Sequence, residues 1–160
     1  MQFNSTNAVT DNNTVWNDTA PTSTVFTVGQ GSMTNGDDSV AYCFHSVEGF
    51  SKFDYYLGNG NANGPFINTG FTPKLVIIQN VETGSSNWRF LDTEREPANV
   101  VNNGLWANLS NSEGTSASNM IDILPNGFKI KGTGNGVNAN NDRIIYMTWA
   151  EFPFKYSNAR

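Results

Sequence analysis

The sequence contains few of the residues on which catalysis or covalent stabilisation usually depends. Its 160 residues include one cysteine and one histidine, and charged side chains make up only 14% of the chain. The single cysteine, Cys43, excludes an internal disulfide and any zinc site built from several cysteines. The only histidine, His45, lies two residues away, and residues at that spacing on a strand are about 7 Å apart. We therefore expect a packed strand pair here and not a catalytic dyad.

Long apolar runs and basic clusters are also missing. No stretch approaches the roughly 20 apolar residues of a membrane-spanning helix, and the N-terminus lacks the basic and apolar regions of a secretory signal. The formal net charge is −5, and the nine lysines and arginines are scattered. Because binding to phosphates needs clustered basic residues, we expect neither membrane insertion nor a nucleic-acid partner.

Asparagine, glycine and aromatic residues are abundant, which favours many tight turns between short strands. Runs rich in β-branched and aromatic residues alternate with Gly and Asn clusters. We predict an all-β fold, a two-sheet antiparallel β-sandwich of jelly-roll type with no substantial helix. The predicted strands are Thr24–Val28, Ser39–Val47, Phe53–Leu57, Pro73–Asn80, Asn87–Leu91, Met120–Leu124, Gly127–Lys131 and Arg143–Ala150.

The predicted organisation is one domain preceded by an arm. Residues 1–22 are polar and carry Ala20-Pro21 at their end, which indicates an extended arm or linker, and residues 23–160 form the single β-sandwich. Two almost continuously apolar runs, Lys74–Gln79 and Ile144–Trp149, are typical of central strands covered on both faces. Pro125-Asn126-Gly127 predicts a hairpin turn. The segments 58–64 and 132–141 are too rich in Gly and Asn for regular structure, so we expect long loops there.

Candidate sites are few. Trp88, Trp106 and Asn108 form the predicted ligand-binding set, because an indole framed by amides can stack on a sugar ring; packing in a core or an interface is the alternative. The acidic stretch Asp92–Glu96 fits a solvated turn with local ion pairs better than a glycosidase pair. Asp122 is expected to be exposed. Asn35–Asp38 could supply oxygen ligands to calcium but matches no EF-hand loop, so we predict no metal and no cofactor. Because the chain has one histidine and no convergent acidic motif, we also predict no enzyme activity.

Several motifs together resemble the C-terminal domain of a family of virion structural proteins from marine and aquatic phages, in which the domain ends long, tail-fibre-like chains. The motifs are SVAYCFHSVEGFSKF over 39–53, Tyr56-x-Gly58-Asn59-Gly60, Gly64-Pro65-Phe66-Ile67, Thr69-Gly70-Phe71-x-Pro73, Trp88 with Asp92 and Arg95, Asn126-Gly127-Phe128-Lys129, and the closing run from Ile145 to Arg160 with its PFKYSNAR ending. The resemblance implies a β-rich virion appendage and carries no catalytic residues. In that family the domain ends a longer chain, and a stand-alone copy would favour a small decoration or spike protein.

The expected function is that of a non-catalytic phage virion domain, in a tail fibre, spike or decoration protein, which contributes to assembly and host attachment. Its expected partners are copies of itself, with a trimer as one expected state, or other virion proteins, and a host surface glycan. Its expected location is the virion surface, after synthesis in the host cytoplasm. The alternative is a carbohydrate-binding β-sandwich module that uses exposed Trp side chains and Asn-rich loops.

Overall fold

The computed structural model describes residues 6–8, 13–31 and 41–153. The chain divides into two compact units, one made of Met1–Ala8 with Phe44–Arg160 and the other of Val9–Cys43. The predicted boundary at residue 22 therefore falls inside the second unit. The reason is pairing across that position, since the Gly29 amide donates a hydrogen bond to the Val15 carbonyl at 2.7 Å.

The smaller unit contains one short helix, α1 (Asn13–Trp16), and no strand among its described residues. The Trp16 and Phe26 rings meet edge to face with centroids 6.2 Å apart. The predicted strand Thr24–Val28 is wrong because these residues form no sheet pairing. The predicted strand Ser39–Val47 is wrong over residues 41–46, its first two residues lie outside the described ranges, and Val47 forms only an isolated bridge to Ser51.

The larger unit is an all-β sandwich of two antiparallel sheets, which confirms the predicted fold class. The elements are β1 (Ser51–Leu57), β2 (Phe66–Asn68), β3 (Pro73–Asn80), β4 (Arg89–Asp92), β5 (Asn103–Trp106), β6 (Gly114–Thr115), β7 (Ile121–Leu124), β8 (Gly127–Ile130), a short helix α2 (Asn135–Asn138) and β9 (Arg143–Ala150), with a single 3₁₀ turn at Ala117–Asn119. The six-stranded sheet has the order β1-β9-β3-β4-β5-β6, and the three-stranded sheet has the order β2-β8-β7.

The two apolar runs that suggested central strands form β3 and β9, which pair with each other in the middle of the large sheet. Alternate residues of each strand face opposite sides of the sheet. Val76, Ile78 and Ile144 face the small sheet and belong to the main core, whereas Ile77 and Met147 lie on the opposite side in a second cluster. The large sheet is therefore apolar on both faces.

Strand β1 is an edge strand whose outward backbone groups are already occupied. Ser51 pairs through its amide and its carbonyl with Val47, and the Ser46 hydroxyl accepts a hydrogen bond from the Phe53 amide at 3.0 Å. The Asp54 carboxylate accepts a hydrogen bond from the Tyr55 amide at 2.8 Å. Free edge groups invite pairing with another chain. Several backbone groups along this edge of β1 already have partners, so little of the edge is available to a strand from another chain.

The predicted hairpin joins β7 to β8 through Pro125 and Asn126, with Leu124 opposite Gly127. The expected Asn-Gly turn with positive φ is not formed, because neither Asn126 nor Gly127 has a positive φ. Gly127 is needed for a different reason. It pairs with Asn68 of β2, and a Cβ atom at this position would collide with the Ile67 carbonyl oxygen.

The two predicted Gly/Asn-rich loops are tied together by one buried side chain. Asn138, at the end of α2, accepts a hydrogen bond from the Asn59 amide and donates hydrogen bonds to the carbonyls of Asn61 and Gly132 at 2.8 and 2.9 Å. Its side chain is fully buried. The loop at 58–64 is confirmed as irregular, and the loop at 132–141 contains the single turn of α2.

We expect Gly127→Ala to lower the free energy of unfolding by about 2 kcal/mol or more, because the added methyl group overpacks a backbone contact between β2 and β8. Urea denaturation monitored by circular dichroism measures this change. Gly84→Ala is the matched control, since nothing lies within 4 Å of a Cβ atom there. Equal midpoints for the two variants would contradict the proposed close approach.

We expect Asn138→Ala to destabilise the domain by about 1–3 kcal/mol, because it removes three hydrogen bonds between the loops and leaves the buried Gly132 carbonyl without this partner. Thermal unfolding in parallel with Asn111→Ala, at an exposed position, provides the comparison. A shift in melting temperature no larger than that of the control would show that Asn138 does not hold the loops.

Candidate functional site

Trp88 is buried, with only 2% of its surface exposed, so its ring has no open side for a ligand. It packs with Ile77 and Met147 in the cluster on the outer side of the large sheet. This position corrects the prediction that Trp88 contributes to a sugar platform. Trp88 immediately precedes β4, and its burial anchors the start of that strand.

Trp106, the last residue of β5, is half-buried and lies beside a cation. The Arg89 guanidinium carbon is 5.1 Å from the centroid of the Trp106 ring, and the two residues are paired between β4 and β5. The tip of the indole lies against Gly114, where an added Cβ would approach Trp106 Cη2 to 2.8 Å. Arg89 therefore covers one side of the predicted stacking surface.

Asn108 acts within the scaffold. Its side-chain oxygen accepts a hydrogen bond from the Trp88 amide at 3.0 Å, and its side-chain nitrogen donates one to Asn87 Oδ1 at 2.8 Å. These bonds fix the turn after β5 against the start of β4. The structure thus brings the three predicted residues to neighbouring positions, but Trp106 is the one whose ring is partly exposed.

Arg89 is the residue that sequence reasoning missed. Its guanidinium Nη1 is buried and has no hydrogen-bond partner among the described residues. Burial lowers the pKa of Arg89 from its ordinary value. Alternation along β4 places Arg89 on the same face as the core residue Leu91, and the sequence shows this as an arginine two residues before an apolar strand position. A cation facing the core without a counter-ion is unusual and calls for a functional explanation.

The acidic stretch after β4 is a structured turn, as predicted. Asp92 accepts hydrogen bonds from the amides of Glu94 and Arg95, and the Arg95 guanidinium contacts Asp92 at 2.6 Å and Glu113 at 2.7 Å. Glu96 accepts hydrogen bonds from the amides of Asn102 and Asn103, both at 2.6 Å. These carboxylates therefore serve as acceptors that shape the turn.

The pKa of Asp92 reflects these contacts. Partial burial acts to raise the pKa, but the hydrogen bonds from Arg95 and its positive charge outweigh it and hold the pKa below its usual value. A carboxylate with a lowered pKa remains ionised at neutral pH. Asp92 is thus suited to holding Arg95 and not to donating a proton.

The outer face of the large sheet carries a continuous set of apolar side chains. Three of them are more than one-third exposed, at 54% for Tyr55, 55% for Leu57 and 40% for Leu105. Phe44 stacks on this face against Phe53, with ring centroids 5.4 Å apart. The outer face consists of Phe53, Tyr55, Leu57, Leu75, Ile77, Phe90, Leu105, Ile145, Met147 and Trp149.

The remaining candidate residues form no site. Cys43 and His45 are both exposed and lie outside any strand, so the expected packed strand pair is wrong. Asp122 is only partly exposed, and its carboxylate is 3.9 Å from Lys131 Nζ. The calcium candidate Asn35–Asp38 lies outside the described residues. Within the described part of the chain, no group of three or more His, Cys, Asp or Glu residues could hold a metal ion.

No helix in the described ranges is long and apolar enough to cross a membrane. A family model described as a domain of unknown function, DUF7483, matches residues 1–153, and the chain belongs to that family. No curated protein and no solved structure matches the chain.

We expect Asp92→Asn to reduce the free energy of unfolding at pH 7 by about 1–2 kcal/mol, because Arg95 loses a charged partner in a largely buried position. The folded-state pKa of Asp92 lies below an unfolded value of about 3.9. Its contribution is therefore complete above that pH and is lost as the pH falls through the folded pKa. Chemical denaturation between pH 7 and pH 2 measures both effects.

Glu94→Gln is the control for this measurement. The Glu94 side chain is 81% exposed and pairs with Lys74 at 2.8 Å, and exposed pairs of this kind contribute well under about 1 kcal/mol. If Asp92→Asn were as stable as Glu94→Gln at every pH, the proposed role of Asp92 would be wrong.

Proposed function

We propose that this member of the DUF7483 family is a non-catalytic structural domain of a phage virion, in a tail fibre, spike or decoration protein, and that it contributes to assembly and host attachment. The proposal starts from the motifs that resemble the virion family. Several of these motifs form the sandwich itself, since Gly64–Ile67 leads into β2 and Asn126–Lys129 forms the β7–β8 turn and the start of β8. The resemblance therefore includes core and turn residues, and its closing run lies outside the described residues from position 154 onward.

The observation that carries the assembly role is the outer face of the large sheet. Tyr55 and Leu57 on β1 and Leu105 on β5 are exposed on both sides of a buried centre formed by Ile77 and Met147. Exposed apolar patches on soluble domains mark surfaces that bind other proteins. A second copy of this chain is the simplest partner, because homo-oligomers with closed symmetry are the commonest assemblies.

The state of the β1 edge favours packing of two copies through the outer face of the large sheet over strand addition at the edge. The hydrogen bonds from Ser46, Val47 and Asp54 occupy edge groups of β1 that an added strand would need. On the outer face, Phe44 and the Arg143 guanidinium cover parts of Phe53 and Tyr55, whereas Leu57 and Leu105 remain exposed. We therefore propose a symmetric homo-oligomer, with a trimer as the expected state, packed through the outer faces.

A carbohydrate-binding module is the second candidate function. The observation in its favour is the half-buried Trp106 with Arg89 over its ring, which places an aromatic and a cationic group side by side at one end of the sandwich. Glycan binding would be the mechanism of host attachment in a virion protein. Glycan binding would also be a complete function for a carbohydrate-binding module that belongs to no virion.

We expect the purified full chain to sediment as a stable oligomer, and we expect Leu105→Asp to convert it to a monomer. A carboxylate on the outer face would be desolvated at the interface without a partner, and the penalty weakens association by about 100-fold or more. Sedimentation equilibrium over a range of protein concentrations measures both states.

Phe66→Asp is the matched control. Phe66 lies on β2 of the small sheet and is 44% exposed, so the same chemical change is made at a similar exposure on the other sheet. Unchanged assembly of Phe66→Asp supports the outer face as the interface. A monomeric wild-type chain, or equal dissociation of both variants, would reject self-assembly through this face.

A further inference from the structure

A cavity of about 280 Å³ lies beside Arg89, between the β3–β4 turn and the loop that leads into α2. Its walls include the turn residues Ser85, Ser86 and Asn87, with Asn119 and Asn135 opposite. Arg89 is the only charged residue among those that line it. The cavity therefore has a local charge of +1 in a chain whose net charge is −5.

The charge on Arg89 has no protein counter-ion in the described part of the chain. The other two described arginines form ion pairs, Arg95 with Asp92 and Glu113, and Arg143 with Glu82. No carboxylate lies within ion-pair distance of Arg89 among the described residues. Its Nη1 lies against Gly104, closed to solvent, so a ligand in the cavity can reach only the other two guanidinium nitrogens, which make no hydrogen bond in the described part of the chain. A partly buried guanidinium without an anion is unfavourable, and a ligand anion at these two nitrogens would supply the missing partner.

The Arg89 side chain is held in place before any ligand binds. The Trp106 ring lies under the guanidinium at 5.1 Å, and Gly104 leaves room beside it, since an added Cβ there would approach Nη1 to 3.0 Å. A cation over an indole ring is stabilised by the charge distribution of the ring. Trp106 is thus a positioning residue for Arg89. A fixed guanidinium loses little entropy when it binds an anion.

The rest of the lining suits hydroxyl groups. Ser85 and Asn135 are exposed at the cavity, and Asn87 is half-buried with its side-chain oxygen held by Asn108. Hydroxyl and amide side chains donate and accept hydrogen bonds without adding charge. A single guanidinium matches the geometry and the charge of one carboxylate. The lining offers no second cation for a dianion such as a phosphate monoester.

We propose that this cavity binds the carboxylate of an acidic sugar, of the uronic or sialic acid class, with Arg89 as the anchor and the neutral Ser and Asn side chains as partners of the sugar hydroxyls. The site is distinct from the outer face, because Arg89 points to the inner side of β4 whereas Phe90 points to the outer side. The proposal deepens the carbohydrate-binding candidate and does not depend on oligomerisation, so the sedimentation result leaves it unaffected.

Isothermal titration calorimetry of the full chain tests the site with glucuronic acid and N-acetylneuraminic acid, against glucose, acetate and inorganic phosphate at the same ionic strength. We expect at least one acidic sugar to bind with a dissociation constant in the millimolar range or tighter, at least about 10-fold tighter than glucose or acetate. Preferential binding of phosphate would overturn the sugar assignment. Equal binding of acetate and the acidic sugars would do so as well, because the hydroxyls would then contribute nothing.

Variants of Arg89 identify the anchor. We expect Arg89→Lys to weaken binding by about 10-fold, because an ammonium cannot form the bidentate contact, and Arg89→Gln to abolish it. Lys129→Gln removes the same charge from β8 of the small sheet and should leave binding unchanged. Melting temperatures of all variants establish whether each is folded. Full binding by folded Arg89→Gln would overturn the proposal.

Ser85→Asp provides a test that leaves Arg89 in place. The change is made at an exposed lining position and should preserve the fold. The new carboxylate competes with the ligand for Arg89 and repels it, so we expect a loss of at least about 10-fold in affinity for the acidic sugar. Unchanged affinity in this variant would place any binding elsewhere on the molecule.

Discussion

The double-sided apolar character of β3 and β9 is the constraint on which the larger unit depends. These central strands place Val76, Ile78 and Ile144 on one face and Ile77 and Met147 on the other. A sheet of this kind must bury both faces to gain the full hydrophobic free energy. The three-stranded sheet covers the first face. On the second face the apolar side chains cover one another only partly, and this geometry creates the surface to which we assign assembly.

Asparagine side-chain amides form many of the hydrogen bonds that hold loops and strand ends in place in this domain. Asn138 joins two irregular loops, Asn108 fixes the start of β4, and Asn80 donates hydrogen bonds to the Asn135 carbonyl and the Asp142 carboxylate. An amide provides both donors and acceptors, so one buried asparagine can satisfy several backbone groups without the desolvation penalty of an ion. The abundance of asparagine therefore has a structural cause inside the fold as well as at its turns.

The two proposed surfaces occupy opposite sides of one strand. Arg89 faces inward to the cavity, and its neighbour Phe90 faces outward to the apolar face, because successive side chains of a strand alternate. An oligomer packed through the outer faces would leave the Arg89 cavities open to solvent. Assembly and ligand binding can thus coexist, and several copies of a weak site in one oligomer would bind a multivalent glycan more tightly than a single site.

Local pattern alone determined the fold class, the two central strands and the β7–β8 hairpin, because hydrophobic runs and turn residues act over short distances in the chain. The strands β2, β5 and β6 were missed, since they are two to four residues long and exist only through pairing with β8, β4 and one another. The tertiary structure alone decided that Trp88 is buried, that Trp106 supports Arg89 and that Arg89 has no counter-ion in the described residues. Each of these three facts depends on side-chain contacts between strands or loops that are not adjacent in the sequence. Composition and hydrophobic periodicity do not predict such contacts.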